Sequence, residues 1–191
     1  TRELDIWVKN RVYELHTFTQ PSLVAENLQH LSTGPAPAGA RRLSDYLGSI
    51  RERLPDYEEL MVLGPRGRVI ASSSSTTRGA RLPLGWEREI AAGDAVLGAP
   101  VWDSVLNMAV MVVAVPIQSG NSQTLGTLAA RLNLTSVEAI IRRLAPIDSG
   151  RTALVALDGT IISGTVAAGP ATAAPRLAGA AMAMLLKEPG I

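Results

Sequence analysis

Apolar residues recur at helical spacing at the start of the chain: Leu4, Val8, Val12, Leu15 and Phe18. Intervals of three and four residues place these side chains on one face of an amphipathic helix. Pro21 interrupts the pattern and should kink or restart the helix, because proline lacks the amide donor that a helix interior needs. We therefore predict a long N-terminal helix over residues 4–31.

A second helical pattern and a series of strand patterns follow. Residues 33–39 are rich in proline and glycine and predict a loop, and the apolar residues within 43–54 again have helical spacing. Runs of β-branched and apolar residues then predict strands. The further predicted elements are a hairpin at 60–72, a connector at 78–93 with a short helix near 86–91, strands at about 95–102, 106–117 and 125–134, and a helix at 136–144 capped by Thr135 or Ser136.

One strand-turn-strand pattern begins at residue 60 and again at residue 152. Residues 60–72 and 152–164 each contain an apolar run, a tight turn with a glycine, and a second β-branched run. The two glycines, Gly67 and Gly159, tolerate the positive φ that such turns require. We therefore predict two modules of one kind, the second cut short. Their hairpins should be central strands of two separate sheets, linked by the helix at 136–144.

Composition excludes several classes of function. Eighteen basic and seventeen acidic residues leave a net charge of +1, which argues against nucleic-acid binding. The lack of cysteine excludes disulfides, zinc-cysteine sites and thiol catalysis. No run approaches the ~18 consecutive apolar residues of a membrane span. Because the chain starts at Thr1, we expect a processed or excised fragment whose signal or anchor lies outside these residues.

No set of residues has the spacing of a catalytic, metal or nucleotide site. His16 and His30 both fall on the predicted N-terminal helix, too far apart to bind one metal as a pair. The serines at 72–75 lack a nucleophile elbow, and the glycines lack the spacing of a dinucleotide-binding loop. We therefore expect no enzymatic activity, no metal and no cofactor.

The order of the elements resembles the PAS-like sensor fold, and its details resemble the double Cache family of bacterial extracytoplasmic sensor domains. Each motif is made of common residue types, so the evidence for this resemblance is the order of the motifs. The resemblance extends to about residue 165. The segments concerned are the helix at 4–31, residues 57–75, 97–103, 108–117 and 125–132, and the repeat at 152–164. Residues 165–191 depart from the family, because they end before the later strands that a second module needs.

The resemblance implies an α+β fold with a long N-terminal helix, a PAS-like antiparallel five-stranded sheet, and a second, incomplete PAS-like module. Residues 1–34 would be a signalling and dimerisation helix, 35–148 the membrane-distal ligand-binding module, and 149–191 the start of a membrane-proximal module. It also implies the periplasmic part of an inner-membrane receptor, such as a histidine kinase, diguanylate cyclase or chemoreceptor. Such a receptor would be a homodimer that binds a small molecule.

The strand at 125–134 suggests what the ligand is. Its alternation places Thr127, Ala129, Arg131 and Asn133 on one face, opposite the apolar face that suits a covering helix. In family members that bind amino acids, an aspartate near the end of this strand takes the ligand amine. Here the strand carries Arg131, and a guanidinium favours a carboxylate or another anion. The alternative, an arginine that points into water, stays open.

The predicted ligand-binding residues are Arg81, Trp86, Trp102, Asp103 and Arg131. The connector of amino-acid-binding relatives has an arginine two residues before a tryptophan-tyrosine pair, whereas Arg81 here precedes Trp86 by five residues. Asp103 matches an acidic position of the family after the third strand. Each tryptophan is also compatible with a packing role.

Two alternatives to a ligand sensor remain. One is a PAS-like interaction domain that has lost ligand binding and works through helix-mediated dimerisation. The other, less supported by the residues, is a cytoplasmic PAS cofactor domain, which would need an axial histidine or a reactive cysteine on the sheet.

Overall fold

The computed structural model describes residues 2–19, 24, 26, 28, 37–77, 79–144, 153–155 and 161–164. The chain forms two compact units. The first consists of residues 1–99 and 111–132, and the second of residues 100–110 and 133–191.

In the described part of the chain, the first unit opens with two helices, and residues 24, 26 and 28 between them are also helical. Helix α1 spans Arg2–Thr19 and buries Trp7 and Leu15, which confirms the predicted helix as far as residue 19. The kink predicted at Pro21 lies outside the described residues. Helix α2 spans Pro37–Arg51, so the loop predicted at 33–39 is wrong for its last three residues. Proline suits the first position of a helix, because the amide that it lacks would have no partner there.

The sheet has six strands rather than the five that were predicted. They are β1 Tyr57–Leu63, β2 Val69–Ser72, β3 Val96–Leu97, β4 Val101–Asp103, β5 Met108–Gln118 and β6 Thr124–Asn133. The strand order is β2-β1-β6-β5-β3, and β4 also pairs with β5. The strand predicted at 95–102 is thus two short strands that both pair antiparallel with β5. Pro100 separates them, because proline cannot donate a hydrogen bond to the ladder.

The two faces of β6 lie against different parts of the first unit, as the alternation predicted. Ala129 belongs to an apolar cluster with Met61, Val112 and Ile90, so this face is covered by the connector and its helix α3 (Trp86–Ala92). On the opposite face, a Cβ atom at Gly126 would lie 3.4 Å from the Leu28 side chain. The connector and the N-terminal helical segment therefore sandwich the sheet.

The second unit contains the repeated hairpin. Strands β7 (Ala153–Val155) and β8 (Ile161–Gly164) form a separate two-stranded antiparallel sheet, which confirms that the two hairpins belong to different sheets. The prediction that both strands of the first hairpin are central is wrong, because β2 is an edge strand.

Helix α4 spans Thr135–Leu144, close to its predicted bounds, and contacts β8. Asn133 Oδ1 accepts a hydrogen bond of 3.2 Å from the Thr135 amide, so the asparagine side chain holds the start of the helix. The predicted capping by Thr135 or Ser136 stays a prediction. Among the described residues, no helix is both long enough and apolar enough to cross a membrane.

Candidate functional site

A buried ion pair lies on the connector face of the sheet. Arg131 on β6 is directly opposite Glu59 on β1, and Arg131 Nη1 is 3.7 Å from Glu59 Oε2. The two residues are only 7% and 3% exposed. The alternative of an arginine pointing into water is therefore wrong. Because the pair is internally neutral, it attracts a further anion less strongly than a lone buried arginine would.

Hydrogen bonds extend the pair to two other segments. Ser72 Oγ on β2 donates to Glu59 Oε1 at 2.8 Å, and the Ser74 amide donates to Ser72 Oγ at 3.0 Å. Arg131 Nη2 donates to the carbonyl oxygen of Gly79 at 2.7 Å, which ties the connector to the sheet. The polar network thus joins β1, β2, β6 and the connector. Part of the serine run, which the sequence marked only as a loop, is a structural member of this network.

The connector supplies the next two predicted site residues. Arg81 is exposed and lies two residues after the Gly79 carbonyl. Trp86 begins α3, is half-buried, and packs against the apolar cluster on the sheet. A Cβ atom at Gly67 would lie 3.5 Å from Trp86 Cζ2, so the β1-β2 turn packs closely against the indole. The structure therefore brings Trp86 to the connector face, as predicted.

Trp102 and Asp103 belong to the second unit, on β4. Asp103 Oδ1 accepts hydrogen bonds from the amides of Val105 (2.9 Å) and Leu106 (3.1 Å), so the carboxylate organises the turn after β4. Trp102 is half-buried, and its Nε1 has no hydrogen-bond partner in the described part of the chain. The ligand-binding role of both residues stays a prediction.

A cavity of about 180 Å³ lies in the first unit between α3 and the start of β6. Its walls are mainly apolar, with two threonines from β6 and two charged residues at the rim. The lining residues are Gly64, Arg66, Trp86, Glu87, Ile90, Ala91, Thr124, Leu125, Gly126 and Thr127. Of the predicted site residues only Trp86 is among them. The cavity was not predicted, since it depends on the packing of three segments that are distant in sequence.

A second polar cluster joins α1 to β1. Tyr57 Oη donates to Glu14 Oε2 at 2.7 Å, and Arg11 Nη1 lies 2.9 Å from the same oxygen. The Arg11 guanidinium is within 6 Å of the ring centres of Trp7 and Tyr57. Burial raises the pKa of the Tyr57 phenol, and the charge and hydrogen bond of Glu14 raise it further. The N-terminal helix is therefore coupled to the sheet by charged as well as apolar contacts.

Metal binding has no support in the described ranges, where no three side chains of His, Asp or Glu come close enough to hold an ion. Of the two histidines, His16 lies on α1, and His30 is outside these ranges.

Comparison with known proteins identifies the fold. No family model and no curated protein matches the sequence. The sensor domain of the Vibrio cholerae histidine kinase DctB is similar in structure with a TM-score of 0.62 and 15% identity, over 96% of this chain and 69% of that one. The ligand-binding domain of the Pseudomonas aeruginosa amino-acid chemoreceptor PctC, solved in complex with GABA, has a TM-score of 0.54 and 16% identity, over 85% of this chain and 69% of that one.

The chain therefore has the fold of the ligand-binding sensor domains of chemoreceptors and histidine kinases. This confirms the predicted α+β fold and the predicted resemblance to extracytoplasmic sensor domains. Identity at this level shows the fold alone, so the ligand has to be argued from the residues of this chain.

Proposed function

We propose that this chain is the extracytoplasmic ligand-sensing domain of a membrane-bound bacterial receptor. Residues 35–148 would be the membrane-distal module that binds the ligand, 1–34 the signalling and dimerisation helix, and 149–191 the start of a membrane-proximal module. The domain itself would be non-catalytic, with the output in another part of the receptor. The fold shared with sensor domains supports this assignment.

The buried Glu59–Arg131 pair beneath the connector is the observation that carries the proposal. Arg131 holds the connector through the Gly79 carbonyl, with a donor–acceptor distance of 2.7 Å. A carboxylate is a stronger acceptor for a guanidinium than a neutral peptide carbonyl is, because its hydrogen bonds are charge-assisted and can be bidentate. We therefore propose a small carboxylate as the ligand, which would displace Gly79 from Arg131 and move the connector.

Arg81 would supply a second cation from the connector, and Trp86 would support the bound ligand through its packing on the sheet. When the ligand carboxylate replaces the Gly79 carbonyl as the partner of Arg131, the connector would be displaced. This displacement would then reach α1 through strand β1, whose first residue Tyr57 bonds to Glu14.

A second candidate function is a PAS-like module that dimerises without binding a ligand. The apolar cluster between the connector and the sheet favours it, because these side chains fill space that a ligand would otherwise occupy. The internal neutrality of the ion pair favours it as well.

A thermal-shift panel of organic acids, amino acids, amines and sugars tests the proposal. A carboxylate at a hundredfold excess over its dissociation constant adds ~2.7 kcal/mol of stability, which corresponds to a rise in Tm of about 5 to 11 °C for a chain of this size. Arg131→Ala should abolish this shift. Arg142→Ala, a change on the exposed surface of α4, should leave it intact. If Arg131→Ala does not fold, Arg131→Lys keeps the charge but removes the fork, and should weaken the shift.

The other outcomes separate the alternatives. Stabilisation by amines instead of acids would reject Arg131 as the anchor and favour Asp103. An acid effect that Arg131→Ala leaves unchanged would also reject the anion site. If no compound in the panel shifts Tm while sedimentation shows a dimer, the ligand-free interaction module is the better assignment.

A further inference from the structure

We propose that the cavity between α3 and the start of β6 is a second ligand site, which binds an uncharged molecule of about the size of a substituted benzene. Arg131 of the proposed carboxylate site is not among the residues that line this cavity, although Trp86 belongs to both proposed sites. Thr127 lines the cavity and lies four residues before Arg131 on the same face of β6, which corresponds to ~13 Å along a strand. Between them, Ala129 packs in the cluster that includes Ile90.

The size of the cavity limits the ligand. Its volume is about 180 Å³. An apolar protein cavity of roughly 150 Å³ accepts benzene, so this one has room for a six-membered ring with one or two further heavy atoms.

The walls select for an uncharged molecule. Trp86, Ile90 and Leu125 present apolar surface, and Thr127, only 3% exposed, adds a buried hydroxyl-bearing side chain. A charged ligand would lose its hydration on entering these walls. No buried charge among the lining residues would compensate for that loss.

The rim does not favour either sign of charge. Arg66 and Glu87 are both exposed lining residues of opposite charge. Exposed charges are screened by water and salt, and pairs involving them contribute little. A ring with a single hydroxyl or amide group therefore matches the site better than an acid or an amine does, because its polar group can bond to a threonine while the ring contacts Trp86.

The wall that the β1-β2 turn contributes is held in a defined conformation. Arg66 has φ 60° and ψ 27°, in the left-handed region that residues other than glycine seldom adopt. Gly67 follows with φ 70° and lies against Trp86. Such conformations persist only where the surrounding structure fixes them, and they are concentrated at binding sites. The turn therefore forms a wall of defined shape beside Trp86.

The indole N–H region of a ¹⁵N-labelled NMR spectrum tests the proposal directly. The chain has three tryptophans, so three indole signals are expected, and Trp86→Phe assigns the one from the cavity. Benzyl alcohol should move the Trp86 signal in a saturable way. Trp7, which lies beside Arg11 and Tyr57 at the far end of β1, should not move. Benzylamine, of similar size but positively charged, should bind at least tenfold more weakly.

Two alanines on α3 provide a matched pair of variants. Ala91 lines the cavity, whereas its neighbour Ala92 is also exposed but is not among the lining residues. Ala91→Trp should fill the cavity and abolish the response to benzyl alcohol, while Ala92→Trp should retain it. Ala91→Leu is a milder filling variant for the case that Ala91→Trp does not fold.

Several results would overturn the proposal. These are a Trp86 signal that does not respond to benzyl alcohol, a response that Ala91→Trp and Ala91→Leu leave intact, or benzylamine binding as tightly as the alcohol. Failure of the carboxylate site would appear in the thermal-shift panel with Arg131→Ala, whereas failure of this site would appear in the Trp86 signal with Ala91→Trp, so the two failures are distinguishable.

Discussion

Loss of Arg131 should destabilise the protein far more than loss of a surface arginine, and Arg131→Met measures the difference. The side chains of Glu59 and Arg131 are 4% and 8% exposed. When one partner of a buried pair is removed, the other charge stays buried without compensation, at a cost of about 3–5 kcal/mol. Ser72 would remain as a donor to Glu59, but one hydroxyl cannot neutralise a carboxylate. We therefore expect Arg131→Met to lower the free energy of unfolding by about 3–5 kcal/mol.

The double variant Glu59→Leu/Arg131→Met shows how removal of both charges differs from removal of one. It removes both charges and leaves apolar side chains of similar volume, a replacement that is often neutral or stabilising. The double variant should therefore be more stable than Arg131→Met alone.

Urea unfolding is the appropriate assay. With a slope of ~2 kcal/mol per molar urea, Arg131→Met should lower the midpoint by about 1.5–2.5 M. Arg142→Met is the matched control, because it breaks an exposed pair with Glu138 on α4, with side chains 63% and 34% exposed. Such helical pairs contribute only about 0.3–0.5 kcal/mol. Equal shifts for the two single variants, or a double variant no more stable than Arg131→Met, would refute the reasoning.

Three further predictions concern stability and association. Gly98→Ala should destabilise the protein by about 1–3 kcal/mol, since two backbone carbonyl oxygens lie within 3.3 Å of the new Cβ. Gly48→Ala should instead stabilise α2 by up to ~1 kcal/mol, because nothing lies within 4 Å of its new Cβ. Chemical denaturation should therefore show changes in the free energy of unfolding of opposite sign for the two variants. Because the pKa of Tyr57 is raised in the folded state, the contribution of its phenol to stability should be fully present below pH 10 and should be lost as the pH rises above that value. Tyr57→Phe should therefore reduce the fall of the free energy of unfolding with pH, measured from unfolding curves at several pH values. Finally, we expect a weak parallel dimer through residues 4–28, and sedimentation that shows a strict monomer at high micromolar concentration would contradict it.

Much of the fold was predictable because local patterns determine it. The alternation along β6 correctly placed Arg131 and Ala129 on one face, since a strand reverses its side chains at every residue. The helical spacing of the leucines in α2 likewise identified its buried face, with Leu43 and Leu47 fully buried.

The partner of Arg131 was not predictable from such patterns. Glu59 faces it only because β1 and β6 pair in one particular register, which shifts between Tyr57 and Glu59. Register depends on contacts between distant segments, and a shift of one residue would have moved Glu59 to the other face. The sequence therefore indicated a cation on this face but not the acid that compensates it.

Two polar side chains have structural contacts for which the sequence carried a local signal. Asp103 precedes a turn, where aspartate commonly accepts hydrogen bonds from amides two and three residues later. Asn133 lies two residues before the start of a helix and accepts a hydrogen bond from the Thr135 amide, which explains a polar side chain at the end of an apolar strand. Reading each polar residue for a capping role would have found both.

The cross-strand pairing of Glu59 with Arg131 also constrains how this domain can diverge. A substitution at either position breaks a buried ion pair, which is strongly destabilising, so an evolutionary path that changes one position at a time passes through an unstable intermediate. Lineages that carry this fold should therefore exchange the two positions together, as acid and base, as a reversed pair, or as two apolar residues. Positions 59 and 131 are expected to covary, although 71 residues of chain lie between them.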